Sequence, residues 1–421
     1  MGSKFYKFTL ASRIGFYAYA IILTFAFPQI TRGQEVGMGN ETVEELISMG
    51  FENVRCTETE NERIYTIENN VYKAQGVGIA KAIDIIQKHG LPTNKRCKVI
   101  VTNLEIPELS LTHEPTGNKS VGNEANWQTS YDIGDSWEIV KKEKKISCSR
   151  FKADLLIYPQ LSFQNMDITK IYQVMFSLNP ALEISLWPGM KFTGQIALPL
   201  YVDTKGYAAY SPLYKKVRPL FITLSQRFRL PFNIKGNATI GYFNANRYGM
   251  DLKLFRPFTF DPRFSVEGRV GFTGIGYWDG FNLYYDKDMI YTWTLGANFY
   301  WPEYNTQFSI KGEQYLLGER GVKFEMIRHF RYTSIGFYAM KAEHANSNGG
   351  FRFQILLPPY KQKRFKNKYI PRVTTSDQMG VTYNAGNERI YYKQYRSGTD
   401  ENIMNDNRFN PFFIKSEITN Y

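Results

Sequence analysis

The stretch Tyr172-Gln-Val-Met-Phe-Ser-Leu-Asn-Pro-Ala-Leu-Glu-Ile-Ser-Leu-Trp187 sorts its residues by parity. Tyr172, Val174, Phe176, Leu178, Leu182, Ile184 and Leu186 share one side. Gln173, Ser177, Asn179, Glu183 and Ser185 share the other. Strand side chains alternate between faces, so this is a strand with one apolar and one polar face; helical periodicity would mix the two sets.

The pattern recurs downstream. Phe192, Ile196, Leu198 and Leu200 alternate with Lys191, Thr193 and Gln195. Leu220, Ile222, Leu224 and Phe228 alternate with Thr223, Ser225, Arg227 and Arg229. Ile234, Ala238 and Ile240 face away from Lys235, Asn237 and Thr239, and Val266, Val270 and Phe272 from Ser265, Glu267 and Arg269. The clearest copy sets Tyr291, Trp293, Leu295, Ala297, Phe299 and Trp301 against Thr292, Thr294 and Asn298; Phe351, Phe353, Ile355 and Leu357 close the series. With weaker copies at 151–163, 250–255, 307–313, 322–330 and 334–340, about twelve to fourteen strands are expected. Each is long enough, at about ten residues, to cross a bilayer when tilted. Aromatics such as Tyr172, Tyr291 and Trp301 stand at the ends of the apolar faces, where membrane interfaces favour them. The fold class expected is mainly β: an antiparallel transmembrane β-barrel over 149–395 preceded by a small α/β module.

That module is expected over 34–110 in the order α-β-β-α-β. Thr42-Val-Glu-Glu45 is a capping box opening a helix that Gly50 stops. The stretches 53–58 and 63–68 form a hairpin, 77–89 an amphipathic helix ended by Gly90, and 98–103 a strand. Residues 111–148 are expected as a linker, and 396–421 as a polar, flexible tail. Lys4, Lys7 and Arg13 ahead of the apolar run 14–27 have the form of an export signal, with cleavage expected after Gly33 and no cysteine following for a lipid anchor. No apolar run reaches the ~20 residues of a spanning helix, so further insertion falls to strands.

The 421 residues carry a formal charge of +13, together with 30 Tyr, 31 Phe and 6 Trp. The excess of base is spread along the chain without a nucleic-acid motif, so acidic glycans and lipid phosphates suit it and nucleic acid is not expected as a partner. Cys56 and Cys97 form the candidate disulfide, with three buried thiols the alternative; no Cys/His spacing suggests zinc, and no cofactor motif appears. GxSxG, HExxH and P-loop patterns are absent, so the chain is read as non-enzymatic. As partners of a lipid-face serine His329 and His344 are poorly placed, since parity puts His329 on the polar side and His344 enters the loop 343–350, so both read as polar filling.

The polar faces carry Lys191, Arg227, Arg229, Lys235, Lys253, Arg269, Lys311, Lys323 and Arg352 against Glu183, Asp251, Glu267, Glu313 and Glu325. As lumen-lining groups they would favour anionic solutes; as cross-strand pairs they would fill the interior. The basic run 360–372 reads as a solvated loop with the alternative of a grip on lipid phosphate or anionic polymer.

Two sets of residues resemble the YjbH/GfcD-type outer-membrane proteins of exopolysaccharide assembly loci. One is Gly50-Phe-Glu-Asn-Val54 with Tyr65-Thr-Ile-Glu-Asn69 and Tyr72. The other is Gly318-Glu-Arg-Gly321 with Phe324, Arg328, Phe330, Ile335-Gly-Phe337, Gly349-Gly-Phe-Arg-Phe353 and Leu357-Pro358. The resemblance implies an outer-membrane barrel of a Gram-negative envelope with a periplasmic α/β module, assisting export or assembly of an exopolysaccharide or capsule. The partners implied are outer-membrane lipid, an anionic polysaccharide and periplasmic export proteins. An unselective porin is the alternative function.

Overall fold

The computed structural model describes residues 6–9, 39–115, 127–164, 173–203, 212–367, 369–376, 378–384 and 391–420. Most of the expected signal segment lies outside them. Tyr6–Thr9 forms a short strand, β1, antiparallel to residues Asn282 to Tyr285 of a later strand.

The module begins with α1 (Gly39–Met49), β2 (Glu52–Glu58), β3 (Glu62–Glu68), α2 (Gln75–Lys88) and β4 (Arg96–Asn103). It continues beyond the sequence-based boundary through β5 (Ile106–His113), β6 (Gln128–Ser130) and α3 (Ser136–Val140), giving a five-stranded sheet in the order β2-β3-β4-β5-β6. Residues 127–148 are therefore not a linker. Trp127, Ile133 and Val140 are buried in the module's cores, and the Val54 carbonyl accepts from the Ile146 N–H at 3.3 Å. The Gly, Asn and Ser content that suggested a linker belongs in good part to residues 116–126, outside those described.

Cys56 and Cys97 do not pair. Cys56 lies on β2 opposite Tyr65, and Cys97 on β4 opposite Arg63, so β3 runs between them. Two strand spacings are about 10 Å, beyond the ~7 Å that a disulfide tolerates between Cα atoms. All three cysteines are free, and burial pushes the Cys97 thiol up to about 12.

The large sheet follows: β7 (Ala153–Gln164), β8 (Gln173–Ser185), β9 (Met190–Val202), β10 (Arg218–Leu230), β11 (Ile234–Phe243), β12 (Arg247–Pro257), β13 (Phe264–Asp279), β14 (Asn282–Trp301), β15 (Thr306–Gln314), β16 (Arg320–His329), β17 (Thr333–Ala342), β18 (Asn348–Leu356), β19 (Arg372–Thr375) and β20 (Gln378–Asn384). From β7 to β18 every strand pairs antiparallel with the next. β20 adds to β18 antiparallel, and β19 adds to β7 in parallel, so both ends of the strand order belong to the single stretch 372–384.

The faces are assigned as parity required, with burial inverted from a soluble sandwich. Leu182, Leu252, Val270, Leu295, Ile310, Phe324 and Phe353 stand exposed, while Asn179, Thr239, Asp251, Asn298, Ser309 and Glu325 are buried. The module lies at the end of the sheet with short turns. Its Leu104 carbonyl accepts from Gly189 N–H between β8 and β9, and Arg229, just before the β10–β11 turn, donates to the Pro107, Glu108 and Tyr131 carbonyls.

The residues expected as a flexible tail run back through this interior. Tyr392 packs on Tyr315 at the end far from the module, and Tyr395 stacks on Phe243 at 5.5 Å. Next come α4 (Ile403–Asp406), whose backbone N–H at Met404 donates to Gln354, and then α5 (Pro411–Thr419) at the module end. α5 completes the module: Ile414 is fully buried in its main core, and Thr129 donates to the Pro411 carbonyl at 2.8 Å. Polarity misled the sequence reading here, because this interior is itself polar and a polar segment satisfies it.

Candidate functional site

The interior of the large sheet is the candidate site. A cavity of about 1110 Å³ extends from the module to the far loops. Its wall receives the charged residues singled out from the sequence with two exceptions: Asp251 is covered by Tyr395, Ser397 and Arg269, and Arg229 is turned to the module, where it also donates to Asn233.

The wall bases do not stand free. Lys191 lies 3.2 Å from Glu183, Lys311 2.5 Å from Glu267, Lys323 3.5 Å from Glu325 and Arg352 3.0 Å from Glu325. The five acids on the polar faces of the strands cannot balance their nine bases, and the remainder comes from outside the sheet. Glu108 of the module is 2.9 Å from Lys235 and 3.7 Å from Arg227. Asp400 of the C-terminal segment reaches Arg227 at 3.2 Å and Lys191 at 3.7 Å, and Glu401 reaches Lys253 at 2.6 Å and Arg269 at 3.5 Å. Asp406 also lines the cavity, with Arg396 and Arg408 brought in beside it. The pairing alternative describes these bases, and the acids that complete it stand in the module and in the C-terminal segment expected as a tail.

The tightest knot forms where Tyr395 crosses β12 and β13. Its hydroxyl donates to Asp251 at 2.7 Å, Ser397 donates to the second Asp251 oxygen at 2.7 Å, and the Arg269 guanidinium lies 4.5 Å over the Tyr395 ring. Gly271 makes room, since a Cβ there would come within 1.7 Å of the Tyr395 hydroxyl.

At the module end Asn407 donates to Gln307 at 2.7 Å and to His329 Nε2 at 2.9 Å. His329 Nδ1 is 2.8 Å from the Ser334 hydroxyl. An accepting Nε2 places the ring proton on Nδ1, which then donates to Ser334, so this serine is not activated as a nucleophile would be. Neither histidine is on the lipid-facing side: His329 is buried inward, and His344 is exposed in the β17–β18 loop beside Glu319 at 3.0 Å.

The basic run 360–372 is exposed over most of its length, as a solvated loop would be, but Arg364 and Arg372 leave solvent for buried partners. Arg364 bridges Glu52 of β2 and Asp154 of β7, and Arg372 reaches Asp154 at 3.0 Å and the Asn70 carbonyl. Lys363 donates to the Ser48 carbonyl, and Lys73 donates to the Leu357, Thr375 and Ser376 carbonyls. Beside these pairs Glu105 accepts from Arg150 at 2.5 Å and from Lys145. Burial opposes its charge, yet Arg150 and Lys145 hold the Glu105 carboxyl below the usual range. Glu68, wholly enclosed, is raised by burial despite accepting from the Glu105 N–H and from Asn53. The Glu-Asn pairs of Gly50–Val54 and Tyr65–Asn69, quoted above only as motif, thus belong to the joint that fixes the module to the sheet.

Among the described residues no group of three His, Cys, Asp or Glu side chains is placed to hold a metal ion. No helix among them is long and apolar enough to cross a membrane.

No protein-family model and no curated protein matches the chain. Among solved structures it is similar to a loop L8 deletion mutant of OmpT, an outer membrane protein of Vibrio cholerae. The identity is 9%, over 48% of this chain and 85% of that one, with a TM-score of 0.24. The expectation of a non-enzymatic chain is withdrawn. It rested only on missing sequence motifs, and catalytic constellations are recognised by geometry rather than by motif.

Proposed function

We propose that the chain is an outer-membrane β-barrel protein that assists an exopolysaccharide to the cell surface, with its lumen held shut by its own C-terminal segment. The observation that carries the membrane assignment is the inverted sheet: strand after strand exposes Leu, Ile, Val or Phe and buries charge. An exposed apolar belt of this extent is stable where lipid covers it. A closed barrel of twelve antiparallel strands would be completed by the stretch 372–384, whose β20 pairs with β18 and whose β19 runs parallel to β7. Short turns mark the periplasmic end of such barrels, and the module, beside the short β8–β9 and β10–β11 turns, would then lie in the periplasm, where export proteins would meet it.

The polymer assignment draws on the resemblance of Gly50–Val54, Tyr65–Asn69 and 318–358 to exopolysaccharide assembly proteins. It also draws on a polar cavity whose walls include Tyr131, Tyr338 and Tyr395. The segment 391–410 fills much of the lumen, so passage requires its displacement; an unselective porin would keep its lumen clear.

The test takes a strain lacking the chain and restores either the full chain or a chain truncated after Lys393. The full chain should migrate in outer-membrane fractions differently before and after boiling, and should restore surface polymer. The truncated chain should lose control of the polymer while gaining ion conductance in planar bilayers that a soluble acidic glycan blocks. A soluble chain without heat-dependent migration sinks the barrel. A heat-modifiable chain with unchanged surface polymer sinks the glycan role, and conductance indifferent to the glycan favours the porin.

A further inference from the structure

The two strands that meet at the closure are joined along only part of their length. The parallel ladder of β19 with β7 runs from Arg372 opposite Asp154 to Thr375 opposite Ile157, and the Ser376 N–H donates to the Ile157 carbonyl at 2.8 Å. β20 is laddered to β18 from Gln378 to Asn384. Among the described residues no ladder joins it to β7, although the two strands run side by side. Continuing the parallel register would set Met379 opposite Leu161. Pro159 stands in the same stretch, and a residue without an N–H is at home on a strand edge.

The cavity reaches this gap. A continuous wall offers the interior alternate side chains, as β16 does with Lys323 and Glu325. On β7 and β20 the cavity is lined by the consecutive residues 158–163 and 379–382, longer runs than 235–237, 253–255 and 267–269 on the laddered strands, and they include the outward parity, Leu161 and Val381 among them. Both sides of these strands therefore border one space. Unpaired backbone at membrane depth is tolerated only where protein or a polar cavity meets it, and the lumen supplies that cavity here.

A charge waits beside the gap. Arg396 lines the cavity without an ion pair among the described residues, within electrostatic range of Glu401 and Asp400 of its own segment and of Tyr158 on β7 and Arg352 on β18. Arg352 itself shares Glu325 with Lys323 and leaves its Nε without a hydrogen-bond partner.

We infer that the barrel opens sideways between β7 and β20 to take an anionic amphiphile. Its phosphate or carboxylate head lies in the lumen beside Arg396 and Arg352, and its acyl chains pass between the strands into the bilayer. This rests on the chain being a membrane barrel, and the substrate class follows from the place: apolar edges outside, a polar gap, and guanidinium groups inside.

The experiment uses the full chain, with Cys148→Ser to remove the exposed thiol, in phosphatidylcholine vesicles with or without phosphatidylglycerol. A photoreactive residue replaces inward-facing Ser162, or, as a control on a closed ladder, inward-facing Thr239. After irradiation lipid adducts are counted by mass spectrometry, on heat-modifiable protein only. We expect about tenfold more adduct at 162 than at 239, and preference for phosphatidylglycerol. Oxidising the pair Leu161→Cys with Met379→Cys should bring 162 down to the control level, and reduction should restore it. Arg396→Gln should remove the preference for phosphatidylglycerol while leaving the phosphatidylcholine adduct. Equal adducts at 162 and 239 in a folded barrel overturn the lateral opening, as do adducts that survive the cross-link. Adducts indifferent to lipid charge overturn the anionic head. Absence of any heat-modifiable form overturns the membrane barrel itself, a failure distinct from these.

Discussion

The module and the large sheet use the same alternation to opposite ends. In the module, strands β3 and β4 turn Ile64, Ile67, Val99 and Val101 into cores with no exposure. In the large sheet the inward parity of β12 and β16 carries Asp251, Lys323 and Glu325, and the outward parity carries Leu252, Val322 and Phe324. A period of two fixes which residues share a face, but not which face meets water. That second choice belongs to the surroundings: water around the module, and a polar segment of the same chain inside the sheet. The two regions are then joined by buried charge through Glu52, Asp154, Arg364 and Arg372, beside the ring contacts of Tyr131 with Phe255 and of Phe412 with Tyr300.

The joint is where the comparison breaks most readily. Arg364→Ala leaves two buried carboxylates with fewer partners, and removing one member of a buried ionic network costs about 3–5 kcal/mol. Lys152 at 2.5 Å from Glu52 and Arg372 on Asp154 remain, which favours the lower end of that range. Limited proteolysis should then release an intact module from an intact sheet. If module and sheet instead unfold together, they are one cooperative unit and the contrast between them has no energetic meaning.

A paired substitution sharpens the contrast in solvent. Ile67→Ala opens a cavity in the module and should lower its stability by about 2–5 kcal/mol without changing heat-dependent migration of the sheet. Leu295→Arg on the exposed face should cost about 2–4 kcal/mol near the bilayer midplane and reduce the folded fraction in vesicles. In water an exposed Leu→Arg change is nearly neutral. A Leu295→Arg chain that folds as well as the parent in vesicles would therefore show that lipid does not cover this face.

How far the sequence reveals this arrangement depends on what each residue's partner is. Tyr172–Trp187 and Tyr291–Trp301 disclose their faces because the rule is local, and the turn at Gly50 and the helix before Gly90 are equally local. The segment 396–420 is illegible for the opposite reason. Asp400, Glu401 and Asn407 look like solvated residues because their partners, Arg227, Lys253 and His329, lie between 78 and 173 residues away in the chain. The same holds for the basic run, whose Arg364 finds Asp154 across 210 residues. Cys56 and Cys97 fail by geometry: spacing in sequence carries no information about the strand placed between them.

The last test asks whether the C-terminal helix belongs to the module or to the lumen. Glu417 on α5 is buried and accepts from the Gly76 N–H at 2.9 Å, while its other oxygen has no partner. Burial, opposed by that hydrogen bond and by Arg331 and Arg408, raises its carboxyl to about 7. A raised carboxyl favours the docked state where it is protonated. Its contribution is full below about 4.5, falls as pH rises, and is lost by about 7, a change on the order of 2–3 kcal/mol. Protection factors of the amides of 411–419, taken against the intrinsic exchange rate at each pH, should accordingly be higher at pH 5 than at pH 8, with those of β12 and β13 unchanged. Glu417→Gln, which keeps the contact and removes the titration, should flatten the difference. If exchange in β12 and β13 follows that of α5, the helix is an extension of the lumen segment and pulls on it. If only α5 responds, the module holds its own last helix, and the lumen segment is anchored independently by Asp251, Arg269 and Lys253.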